Sequence, residues 1–153
     1  MKISNDKAAL VMMSFFQMQN SLKFSHWRTK SYATHKALDK FMKKFLDSMD
    51  EFIEVWQGKY GRIHFTEKNG NSDRNLKIYQ IGYNNIQKYL DVLVGFLSGG
   101  KSTDCKKYKI IDNRDYCGIT ILDVIDKKDT DLLNIRDEIL ANINQLKYLL
   151  TLE

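Results

Sequence analysis

The sequence predicts an all-α protein, a four-helix bundle with an irregular insertion before its last helix. Three observations carry this reading. Four stretches space their apolar residues by 3 and 4, the period of a helix with one buried face. No proline interrupts any of the 153 residues. The connections between the stretches are short or polar, as between neighbouring bundle helices. At this length one domain, residues 1–153, can bury a full core.

The first helix is expected over residues 4–29, capped by Ser4 or Asn5, with Asp6 near the positive end of its dipole. Val11, Phe15, Met18 and Leu22 mark its core stripe, with Met12 and Phe16 beside it, and His26 follows Leu22 by one turn. After a short link at Lys30–Ala33, a second helix runs from Tyr32 to about Trp56, ended by Gly58 and Gly61. Its stripe is Leu38, Phe41, Phe45, Met49, Phe52 and Trp56. Residues 62–74 are polar and contain the turn signal Asn69-Gly70. Leu76–Leu97 returns to helical spacing and Ser98-Gly99-Gly100 breaks it. Residues 99–118 read as a basic irregular excursion, with a short strand as one option at Tyr108–Ile111. Ile119–Ile125 is expected to add one or two helical turns. The last helix is expected over Thr130–Leu152, on Leu132, Ile135, Ile139, Ile143, Leu146 and Leu150.

The second helix also carries His35, Asp39, Asp50 and Glu54. With His35 at zero these fall near 0°, 40°, 60° and 100°, against an apolar arc from about 240° to 20°. The stripe borders the buried face, where a carboxylate needs a counter-charge or a metal. The His35/Asp39 pair lies 11 residues before the Asp50/Glu54 pair, about 16 Å along a helix. Metal–ligand bonds of about 2.0–2.6 Å do not bridge that. An antiparallel two-fold copy would bring one chain's His/Asp pair beside its mate's Asp/Glu pair, twice per dimer.

His26-Trp27 followed by His35-x3-Asp39-x10-Asp50-x3-Glu54 resembles the ferroxidase signature of the Dps-like (miniferritin) branch of the ferritin superfamily. The resemblance is most specific over residues 22–57 and extends to 130–152. It implies a ferritin-like bundle and Fe(II) oxidation by peroxide or O2 at dimer-interface sites. It also implies ferric storage in a shell of about a dozen chains and protection against oxidative damage. His26, His35, Asp39, Asp50 and Glu54 would be the catalytic and metal-binding residues. The N/O donor set suits iron, with manganese or zinc as alternatives, and the absence of thiolates argues against a structural zinc site. A competing reading is a structural or interaction protein that kept the bundle and lost the chemistry. It is motivated by the short His26–His35 gap and the irregular stretch at 98–118.

The formal charge of +5 and pI near 9.1 are compatible with nucleic acid. Weak, non-specific DNA binding would fall to Lys101, Lys106, Lys107 and Lys109, because neither terminus offers a basic arm. No apolar run is long enough for a membrane span and no signal peptide is evident, so a cytoplasmic location is expected. Two cysteines, Cys105 and Cys117, make no disulfide framework. Gly95-x4-Gly100-Lys101-Ser102 matches a phosphate-loop pattern formally, but in a helical context. Trp27 reads most simply as a core aromatic and His64 as a surface histidine. Arg136 and Asp137 read as solvated or paired with a neighbouring helix.

Overall fold

In a computed structural model the described residues are 5–64, 81, 85–99 and 119–152. They form α1 (Asn5–Arg28), α2 (Tyr32–Tyr60), α3 (Ile86–Ser98) and α4 (Thr130–Leu149), with one 3-10 turn at Ile121–Asp123. No strand occurs among the described residues, so the all-α class is observed there. The strand option at Tyr108–Ile111, Cys105, Cys117 and the four loop lysines lie outside them.

α2 is the hub. All six residues of its expected stripe are buried, and they face α1 on one side and α4 on the other. Phe15 of α1 is fully buried against Phe45 and Phe52 of α2 and Phe96 of α3, with ring centroids 6.1, 5.5 and 5.9 Å away. Tilted and edge-on contacts at these spacings add attraction beyond burial itself. α3 packs on α4 and on the 3-10 turn, and Arg136 of α4 donates to the Leu97 carbonyl at 2.9 Å, holding the end of α3. Arg136 is thus paired with a neighbouring helix, as the sequence allowed. α1 departs from expectation. Phe16 is 40% exposed, and Ser14, Gln17, Ser21 and Ser25 are buried instead. The Ser14 and Ser25 hydroxyls return to carbonyls one turn back, Leu10 and Ser21, which makes the serines cheap to bury.

Three boundaries differ from expectation. α2 continues through Gly58 and stops at Gly61, whose φ of 95° suits glycine and whose N–H bonds the Gln57 carbonyl at 2.9 Å. A helical glycine costs about 1 kcal/mol, less than the roughly 1.5–3 kcal/mol from burying a large side chain such as neighbouring Trp56. Ile81, expected in the third helix, is not helical, and α3 begins only after Asn85. Asn85 at the N-cap suits this start, since asparagine favours caps over helix interiors, and the rest of the expected segment before it, apart from Ile81, lies outside the described residues. α4 ends at Leu149 instead of Leu152.

The far end of α2 is locked to the start of α4. The Trp56 indole donates to the Val124 carbonyl at 2.8 Å. Asp129, buried before α4, accepts from the Asp126 amide at 2.9 Å, from Lys59 Nζ at 2.6 Å and from the Tyr60 hydroxyl. Burial would raise the Asp129 carboxyl, but these donors outweigh it and hold it below its ordinary 3.8. Burial and the same hydrogen bond push the Tyr60 hydroxyl up to about 12. Because the folded Asp129 is the stronger acid, its contribution is complete above pH 3.8 and is lost as pH falls below it. We expect Asp129→Asn to lower stability at pH 7 by about 1–3 kcal/mol. The same substitution should flatten the acid limb of urea-unfolding stability between about pH 5 and 2. An unchanged acid limb would assign that limb to other carboxylates.

Candidate metal centre at the α1–α2 junction

The junction is built by short-range chemistry. α1 ends at Arg28, and Ser31 caps α2 by accepting from the Thr34 amide at 3.2 Å. This three-residue link folds α2 back along α1 and brings His26, His35 and Asp39 together. The two imidazoles stack with centroids 3.9 Å apart and 22° between planes. His35 Nδ1 lies 3.0 Å from the His26 carbonyl oxygen. A carbonyl only accepts, so Nδ1 carries a proton and Nε2 is the ring nitrogen left to face a cation. Orienting one ring nitrogen through a backbone carbonyl is a usual way to prepare the other for a metal.

His26 is 7% exposed, and neither of its ring nitrogens has a hydrogen-bond partner. Its Nε2 is 3.8 Å from the nearer Asp39 oxygen, an ion-pair distance and not a hydrogen bond. Burial, reinforced by His35 and Lys23, lowers its pKa below 6.5 against the pull of Asp39, so the ring is neutral at pH 7. Asp39 is half-buried. Desolvation would raise its carboxyl, but Lys43, at 3.5 Å, together with His26 and Lys23 leaves it lowered and ionised. The junction therefore presents one carboxylate and two imidazoles, that of His26 neutral, a donor set suited to a divalent cation of intermediate softness.

Asp50 and Glu54 are exposed further along α2. The expectation of a stripe bordering the core thus holds for His35 and Asp39 and fails for these two, which lie furthest round the wheel from the apolar arc. Within one chain, no group of three or more His, Cys, Asp or Glu among the described residues converges to hold a metal ion. Trp27 is 67% exposed under Lys23, whose Nζ is 5.8 Å from the ring, so its core assignment is corrected. Its neighbour His26 takes the buried position instead. His64 bonds through its backbone to the Asn5 side chain, at 2.7 and 2.9 Å. Gly95 of the phosphate-loop pattern sits in the last turn of α3, not after a strand. The groove between α2 and α4 beside Lys40 and Lys44 holds a cavity of about 10 Å³, room for one water.

A family model described as a family of unknown function (DUF5856) matches residues 26–95. The match starts at His26 and includes His35, Asp39, Asp50 and Glu54. No curated protein and no solved structure matches the chain.

A buried imidazole with two unsatisfied nitrogens costs stability unless something else uses it. His26→Leu, close in volume, should stabilise the metal-free protein by about 1 kcal/mol in urea unfolding. Wild type should also lose stability as pH falls below 6.5, because the unfolded histidine takes up its proton first, and the variant should lose less. Destabilisation by the leucine would show that His26 is a packing residue.

Proposed function

We propose that this chain is a Dps-like ferritin with a ferritin-like bundle, whose substrate is Fe(II). The observation that carries the reading is the junction itself: buried, neutral His26 with unpartnered nitrogens, stacked on an oriented His35 beside ionised Asp39. A half-site of this composition needs further oxygen donors. Asp50 and Glu54, exposed on α2 but out of reach in the same chain, supply them from a second copy related by a two-fold.

In this reading the histidines retain Fe(II), the softer ion, and the carboxylates stabilise Fe(III), the harder product. Peroxide or O2 is the electron acceptor. The short α1–α2 link fixes His26 against His35, so the half-site is pre-organised before the partner arrives. A shell of about a dozen copies would store the ferric product, protecting the cell from peroxide-driven damage. Manganese or zinc would occupy the same donors without the redox step. No helix of the described residues is long and apolar enough to cross a membrane, and a cytoplasmic site of action fits the reading. Weak DNA binding through the loop lysines belongs to the same proposal, to be read from a gel shift at two salt concentrations.

Adding Fe(II) aerobically or with peroxide should give a rise in ferric absorbance. Asp50→Ala/Glu54→Ala should reduce it at least tenfold, about 1.4 kcal/mol in the barrier. Size should be measured alongside, because a monomeric wild type would exclude the intersubunit site. An unchanged rise in a folded double variant would reject the assignment of these carboxylates.

A further inference from the structure

The outer face of α2 has a charge order that works against the helix carrying it. Exposed Lys36, Lys40, Lys43 and Lys44 occupy its first half, and exposed Asp47, Asp50, Glu51 and Glu54 its second. No acid stands in its first turn. Basic residues toward the N-terminus and acidic ones toward the C-terminus oppose the helix dipole. Lys36/Lys40, Lys40/Lys44, Asp47/Glu51 and Asp50/Glu54 place like charges one turn apart, which is also unfavourable. Among the described residues this face makes one ion pair, Lys43 with Asp39 at 3.5 Å. A merely solvated face has no need of such an order.

The spacing shows what would relieve it. Lys36, Lys40, Lys43, Asp47, Asp50 and Glu54 follow one another at intervals of 4, 3, 4, 3 and 4. The pattern reads the same in both directions with the sign of charge inverted. We infer that the α2 face is a self-complementary docking surface whose occupant is a second copy of α2, antiparallel. Its register pairs Lys36 with Glu54, Lys40 with Asp50 and Lys43 with Asp47 of the mate, each in both directions. All three pairs centre on residue 45, and Leu46, 40% exposed, lies beside that centre as an apolar contact. In an antiparallel pair the two dipoles also oppose, and each mate's acids meet the other's lysines.

The inference rests on the charges and needs no metal, but it deepens the proposed intersubunit site by naming how its partner is recognised. Pairing His35 with Glu54 and Asp39 with Asp50 centres half a residue earlier, a slide of about 1.5 Å between the helices. His35 and Asp39 sit about 100° round α2 from Lys36 and Lys40, on the flank of the same interface, and Asp50 and Glu54 face both sets.

Charge exchange tests this. One variant carries Lys36→Glu, Lys40→Glu and Lys43→Glu; the other carries Asp47→Lys, Asp50→Lys and Glu54→Lys. All six positions are exposed, and far-UV circular dichroism checks that each variant stays helical. In sedimentation at about 0.1 M salt, wild type should run as a dimer or an assembly of dimers and each variant alone as a monomer. The two mixed one to one should associate, because every pair is restored. Wild type should associate roughly tenfold more weakly at about 1 M salt, where screening shortens from about 10 Å to about 3 Å. A variant that still associates alone, or a mixture that stays monomeric, overturns this register. The first result would leave the iron reading standing. A wild-type dimer that gives no ferric signal would contradict the iron reading and leave the register standing.

Discussion

Burial of the α2 stripe from Leu38 to Trp56 is the constraint on which the structure depends. α1 and α4 pack directly on α2, and α3 reaches it through Phe96 on Phe15 and through α4. Once that stripe is fixed inward, the helix period leaves no freedom for the remaining positions. His35 and Asp39 must fall at the edge beside α1, and the lysines and later acids must face out. The packing of α2 thus sets the chemistry of its other faces. The Asp129 lock at one end and the Ser31 cap at the other keep its length and rotation fixed.

Two kinds of cost are retained on this scaffold. Inside, His26 is buried without a hydrogen-bond partner, a condition that native proteins otherwise avoid. Outside, the α2 charges are ordered against their own dipole. Neither belongs to the apolar cluster of stripes and Phe15 that closes the bundle. In the proposed reading a cation would account for the imidazole and a second α2 for the charges. They meet where the end of α1 packs on the start of α2, so a single dimer would satisfy both.

The helical class and the α2 and α4 stripes were legible because a period of 3.6 leaves a clear trace in long segments such as Phe41, Phe45, Met49 and Phe52. The meeting of His26, His35 and Asp39 was also legible, since a three-residue link leaves α2 little choice but to return along α1. The serine row of α1 was not, because Ser14 and Ser25 satisfy themselves locally and carry no hydrophobic signal. Gly58 misled because the contacts that carry α2 past it, Lys59 and Tyr60 with Asp129, span about 70 residues of sequence. Trp27 also misled, because this turn of α1 buries the adjacent His26 instead.

The most direct test of the account is subunit complementation. Carry His35→Ala/Asp39→Ala in one chain and Asp50→Ala/Glu54→Ala in another, refold them alone and together at low salt, and follow Fe(II) oxidation. An intersubunit site predicts two inactive homodimers and recovery in the mixture to about a quarter of wild-type activity. Half of the dimers are then mixed, and each has one intact site of two. No recovery in a mixture shown to contain mixed dimers would contradict a site shared between two α2 helices.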